Sequence, residues 1–100
     1  MSKTYWVYIL KCSDGSYYTG STSNLEKRIS EHKLGSIKGY TSKRLPVGLV
    51  FSEWFSDVND AISAERQIKG WSRAKKEALT NGDFELIKIL SKKKWKKTRN

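Results

Sequence analysis

Residues Thr4 to Cys12 read TYWVYILKC, a run of aromatic and β-branched side chains with apolar residues at both parities. A strand with one face in water would alternate apolar with polar positions, so this run suits a strand covered on both faces. Ser13-Asp14-Gly15 then supplies turn chemistry and Ser16-Tyr17-Tyr18-Thr19 resumes strand composition, so the chain opens with a β-hairpin. A two-residue Asp-Gly loop puts Tyr8 on the same face as Tyr17. A three-residue Ser13-Asp14-Gly15 loop with Gly15 left-handed aligns Tyr8 with Tyr18 instead. The residues are compatible with either register.

Ser23, with Glu26 three residues on, has the form of a capping box; Leu25 and Ile29 recur at helical spacing, and Gly35 suits a C-terminal cap. A helix is predicted over 23–34. Gly35 to Pro46 reads as a loop and Val47 to Phe55 as a third strand. Asp57 caps a helix that runs to Lys69 and stops at Gly70. Ser72 caps another through Leu79, Asn81-Gly82 ends it, and Asp83 starts a last helix from Phe84 into a basic tail. The order ββαβααα predicts an α+β fold, a three-stranded mainly antiparallel sheet flanked by helices. With 100 residues, 37% of them hydrophobic, there is material for one core, and a single domain over 1–90 followed by a tail over 91–100 is expected.

The formal charge is +10, from 20 Lys and Arg against 10 Asp and Glu. That excess points to a polyanionic partner. Residues 91–100 contribute Lys92, Lys93, Lys94, Lys96, Lys97 and Arg99 without one acid, leaving 14 basic and 10 acidic side chains in residues 1–90. Cys12 is the single cysteine, which excludes an intramolecular disulfide framework and a Cys-rich zinc site and suits a reducing cytosol. The longest N-terminal apolar run, Tyr5 to Leu10, is too short for a signal sequence or a membrane span. A cytoplasmic protein with no membrane partner is expected. Dinucleotide and phosphate-loop glycine motifs and the His-Glu-x-x-His zinc motif are absent, which disfavours nucleotide-cofactor chemistry.

Several charged residues fall where apolar ones belong. On a helical wheel, Leu25, Arg28, Ile29 and His32 share one arc of the first helix, and Val58, Ala61, Ile62, Glu65, Ile68 and Lys69 share one arc of the second. Unpaired burial of such groups costs several kcal/mol, so they need partners, a solvated cleft or a metal ion. One account makes Arg28 and Glu65 a buried structural pair and His32 a hydrogen-bonded core histidine. The other takes the three together beside a tyrosine-rich hairpin: Arg for a phosphate, His and Tyr for proton handling, Glu for a divalent metal. That set is coherent for phosphodiester cleavage. Trp54 and Trp71 are assigned to the core.

From Tyr5 to Leu79 the chain resembles the GIY-YIG nuclease family, in particular its small single-domain bacterial members. The resemblance runs through Val7-Tyr8-Ile9, Tyr18-Thr19-Gly20 and Leu25-x-x-Arg28-x-x-x-His32. It continues through Tyr40-Thr41, Pro46-Val47-x-Leu49-Val50, Glu53 and Ala64-Glu65-x-x-Ile68-Lys69-Gly70-Trp71. It implies a three-stranded antiparallel sheet with helices against it and metal-dependent cleavage of a nucleic-acid phosphodiester, with Mg²⁺ or Mn²⁺ as cofactor. By motif position it makes Tyr18 the activator of the attacking water and Tyr8 its partner. Arg28 steadies the phosphate, Glu65 is the metal ligand, and His32 assists proton transfer. The sequence departs from the pattern at Trp6-Val7-Tyr8 in place of Gly-Ile-Tyr, at Thr19 in place of Ile, and at Ser21, where several members have lysine.

Two functions follow. One is a compact endonuclease, acting on DNA ahead of RNA and on branched, nicked or damaged structures, with a second protein as a source of substrate recognition. The other is a nucleic-acid-binding module that keeps the fold without efficient turnover. Candidate nucleic-acid contacts are Lys43, Arg44, Arg66, Lys69, Arg73, Lys75 and Lys76, with Lys93 and Trp95 in the tail gripping phosphates and stacking a base.

Overall fold

The computed structural model describes residues 3–83. Within them β1 (Tyr5–Lys11), β2 (Tyr17–Thr22), α1 (Leu25–Leu34), β3 (Gly48–Phe55), α2 (Val58–Lys69) and α3 (Arg73–Thr80) follow in order. The strands form one antiparallel sheet in the order β2-β1-β3. The architecture is the expected α+β one; the last helix predicted from Phe84 lies outside the described residues, as does the tail.

Apolar side chains at both parities of β1 are explained by its central place. Val7, Tyr8, Ile9 and Leu10 are all fully buried, alternately toward the two faces. On one face Val7 and Ile9 join Phe55 and the α2 and α3 residues Ala61, Ala64, Ile68, Ala78 and Leu79. On the other, Tyr8 and Leu10 join Cys12 and Val47, and Tyr18, Leu25 and Ile29 pack against them. Helices α2 and α3 therefore cover one side of the sheet, and α1 with the 35–47 loop covers the other.

The hairpin takes the three-residue turn. The Cys12 amide donates to the Ser16 carbonyl at 2.8 Å, enclosing residues 13–15, and Gly15 sits at φ +85°, where a side chain would be strained. The register then pairs Tyr8 with Gly20 and Leu10 with Tyr18, so both tyrosines rise from the face under α1 and Tyr17 from the opposite one.

Three local expectations are corrected. The N-cap of α1 is Asn24, not Ser23: its side chain accepts from the Lys27 amide at 3.1 Å, while its own amide donates to Thr22 Oγ1 at 3.0 Å. The backbone stays extended through Asn24, so the first free helical amides lie within its reach. Helix α2 is rotated relative to the apolar arc, burying Ala61, Ala64 and Ile68 and leaving Val58 and Ile62 exposed. Ala61 and Ile68 are buried as the arc predicts, and Ala64 faces the sheet where Val58 and Ile62 were expected. Trp54, on the outer strand β3, is 44% exposed and so is not a core residue, whereas Trp71 is buried as expected.

Candidate active site

Strands β1 and β2 and helix α1 bring Tyr8, Tyr18 and His32 into one cluster. The ring centroid of Tyr18 lies 5.2 Å from that of His32 and 6.4 Å from that of Tyr8. Tyr8 Oη and His32 Nε2 are hydrogen-bonded at 2.9 Å, and Nδ1 of the same ring is bonded to Thr41 Oγ1 at 2.9 Å. Gly20 makes this possible: a Cβ there would stand 2.5 Å from Tyr8 Oη and 2.7 Å from its Cζ, so the tyrosine ring can lie across β2 only because the position has no side chain.

The electrostatics keep Tyr8 and His32 neutral at rest. Burial, helped by neighbouring Tyr18, pushes the Tyr8 phenol up to about 12 against the opposing pull of Arg28. Burial also holds the His32 imidazolium below its usual range, reinforced by the Arg28 charge and opposed by Glu31. The Arg28 side chain remains 39% exposed and pairs with Glu31 at 3.5 Å.

Glu65 does not meet Arg28, and the buried Arg28–Glu65 pair is not formed. Its Oε1 accepts from Ser21 Oγ at 2.7 Å and its Oε2 pairs with Lys69 Nζ at 2.9 Å. Burial raises this carboxyl, but Ser21, Lys69 and then Arg66 outweigh it and leave Glu65 below the ordinary carboxylate range. Gly20 and Ser21 are consecutive on β2 and point to opposite faces. The Tyr8 ring thus crosses one side of this edge strand while Glu65 is held on the other, and the two halves meet around the β2 edge.

The candidate nucleic-acid cations divide in the same way. Lys43 and Arg44 belong to the loop on the tyrosine side, but Arg44 is committed: it pairs with Asp14 at 3.0 Å, donates to the Tyr40 carbonyl at 2.8 Å and lies 3.7 Å over the Tyr40 ring. On the opposite side Lys69 is bound to Glu65, Arg73 pairs with Glu77 at 3.1 Å, and Lys75 lies over the Trp71 ring at 5.8 Å. Lys76 is partly buried on α3, and Arg66 is exposed on α2. Lys93 and Trp95 lie outside the described residues.

Thr41 and the attachment of Ser21 to Glu65 were not foreseen as parts of the site. Thr41 belongs to the Tyr40-Thr41 motif of the resemblance, which gave it no role, and stands in a loop with no periodicity, and Ser21 counts in the sequence only as the absence of a lysine; each takes its place from a partner distant in the chain. Among the described residues, no group of three or more His, Cys, Asp or Glu is arranged to hold a metal ion. No helix there is long and apolar enough to cross a membrane.

The family model described as the GIY-YIG catalytic domain matches residues 4–78. A UPF0213 protein of Staphylococcus haemolyticus is 49% identical over 76 residues, covering 76% of this chain and 92% of the relative. One from Natronomonas pharaonis is 46% identical over 79 residues, covering 79% and 93%. The solution structure of a UPF0213 protein from Bacillus halodurans, 39% identical, superposes with a TM-score of 0.53 over 90% of this chain and 99% of that one.

Proposed function

We infer that this chain, which belongs to the GIY-YIG family, is a metal-dependent endonuclease hydrolysing phosphodiester bonds of nucleic acid. Its substrate is DNA ahead of RNA, with branched, nicked or damaged structures preferred. The observation that carries the reading is the 2.9 Å bond between Tyr8 Oη and His32 Nε2 inside a buried cluster with Tyr18, beside the accessible Arg28. A phenol and an imidazole joined in this way are equipped to orient and shuttle a proton. In the proposed reaction Tyr18 first releases its own proton to solvent and, as the phenolate, takes the proton of the attacking water, while the hydrogen-bonded Tyr8 and His32 pack against it and hold it in place. The Arg28 guanidinium neutralises charge on the phosphoryl oxygens, for which its planar donor fork is suited.

Glu65 fits a divalent ion as a single carboxylate. It is ionised, and its side chain is 19% exposed. Mg²⁺ is commonly bound by one or two protein carboxylates together with waters and substrate phosphates, so the lack of further acids is compatible with it. The bound ion supplies charge stabilisation at the phosphoryl group. Residues 1–90 form the nuclease unit in this reading, and residues 91–100 add phosphate contacts. A partner protein adds substrate recognition.

One observation favours the second reading, a nucleic-acid-binding module: both Glu65 oxygens are already engaged, by Ser21 and Lys69. A cleavage screen with Mg²⁺ and with Mn²⁺ over single-stranded, duplex, nicked and branched substrates decides between them. Metal-dependent cleavage lost in Tyr18→Phe and Arg28→Ala supports the nuclease. Tight binding without cleavage of any substrate makes the protein a binding module.

A further inference from the structure

His32 is 1% exposed and Thr41 is 2% exposed, so the imidazole satisfies both nitrogens inside the protein and each partner is a hydroxyl. A neutral imidazole carries one proton, so one hydroxyl must donate to it and the other must accept from it. The two hydroxyls are not equivalent. A phenol is far more acidic than an aliphatic alcohol and its oxygen lone pair is partly delocalised into the ring. It is therefore the better donor and the poorer acceptor.

We propose that Thr41 is a positioning residue of the candidate site, its Oγ1 accepting from Nδ1–H of His32 and so fixing the tautomer in which Nε2 accepts from the Tyr8 hydroxyl. With its proton directed to Nε2, Tyr8, fully buried beside Gly20, offers oxygen lone pairs, and not O–H, to its remaining neighbours in the site, the Arg28 side chain among them. An acceptor there suits a hydrogen bond from an attacking water. The opposite tautomer would present a donor and suit a phosphate oxygen. Thr41 is well anchored for this task. Its carbonyl accepts from the Arg44 amide at 3.0 Å, and the Arg44 carbonyl accepts from the Ser13 amide at 2.9 Å, which ties the loop to the hairpin turn. The β-branched side chain adds a stiff χ1. The neutral state of both Tyr8 and His32 is what such a chain requires.

The consequence for water activation rests on the nuclease reading; the tautomer does not. His32 is the single histidine of the chain, so long-range ¹H–¹⁵N correlation of the imidazole reads its tautomer without assignment ambiguity. The full-length wild type is expected to show a protonated Nδ1 and an unprotonated Nε2 at neutral pH. Thr41→Ser keeps that pattern. Thr41→Val, which keeps the shape and removes the acceptor, loses it, and cleavage falls by up to about 100-fold through misorientation of Tyr8. A wild-type spectrum with protonated Nε2 overturns the proposal, and so does a Thr41→Val spectrum unchanged from wild type. If Thr41→Val does not fold, the wild-type and Thr41→Ser spectra still decide. A parent protein that cleaves nothing removes the nuclease reading and leaves the tautomer result standing.

Discussion

At Glu65 the two neighbours are of unequal weight. Ser21 is half-buried and bonded at 2.7 Å, whereas Lys69 is a 2.9 Å ion-pair partner whose side chain is 54% exposed. Glu65→Gln keeps an acceptor for Ser21 and loses only a solvent-screened ion pair. Stability should fall by about 1 kcal/mol or less, while cleavage falls by ~10²-fold or more as charge stabilisation is lost. Thermal denaturation and cleavage measured on one preparation test this, and a loss of several kcal/mol would instead make Glu65 a structural residue. His32 gives a prediction of opposite character, because its folded form resists protonation. Its folded pKa lies below 6.5, so at lower pH the unfolded chain binds a proton that the native one refuses. The contribution is present above pH 6.5 and is lost as pH falls through that value toward the folded pKa. Denaturation titrations between about pH 7.5 and about pH 5 should show stability declining with acidification, and the slope should flatten in His32→Gln. A slope unchanged by that substitution would assign the acid sensitivity to other groups.

Within elements, the correct start of α1 was one residue away from the motif that signalled it. Ser23 and Glu26 have capping-box spacing, yet the extended backbone at Asn24 puts the cap there and leaves Ser23 outside the helix. Asn24→Ala should therefore cost about 0.5–2 kcal/mol, with Ser23→Ala within about 0.5 kcal/mol of wild type. Urea denaturation of the two variants compares them directly, and equal costs would reject the assignment. Helix α2 teaches the same point about rotation. The wheel placed Val58, Ala61, Ile62, Glu65, Ile68 and Lys69 on the inner arc; contact with the sheet keeps Ala61 and Ile68, adds Ala64 and leaves Val58, Ile62 and Lys69 exposed. Glu65 was thereby carried from the centre of the buried stripe to its margin, where it reaches Ser21 at the β2 edge.

At the scale of the whole fold, the candidate nucleic-acid cations among the described residues are divided between the two sides of the sheet, with Lys43 and Arg44 on the side of Tyr8 and Tyr18. Helix α3, with Arg73, Lys75 and Lys76, packs on the Val7 and Ile9 side of the sheet, opposite His32, so a nucleic acid meeting both sets has to contact both sides of the sheet. The basic residues after position 91 are a separate resource. Each phosphate neutralised contributes roughly −0.9 to the slope of log K against log salt on duplex DNA. Deleting residues 92–100 should weaken binding and flatten that slope while leaving cleavage at low salt, and an unchanged slope would show that the tail makes no phosphate contacts. Element order through α3, the two-sided burial of β1 and the candidacy of Arg28, His32 and Glu65 were legible in the residues because they rest on local periodicity and turn and cap chemistry, whereas Tyr8 and Tyr18 became candidates through the ordered motifs of the family the chain resembles. The hairpin register was not: two loop lengths satisfied the same residues, and the Cys12–Ser16 closure around a left-handed Gly15 chose one of them. Neither the placement of Thr41 against His32 nor that of Glu65 between Ser21 and Lys69 could be read along the chain. Thr41 is set by how the 35–47 loop ties back to the hairpin turn, and Glu65 by how α2 rotates on the sheet. Burial and packing of the complete fold decide both.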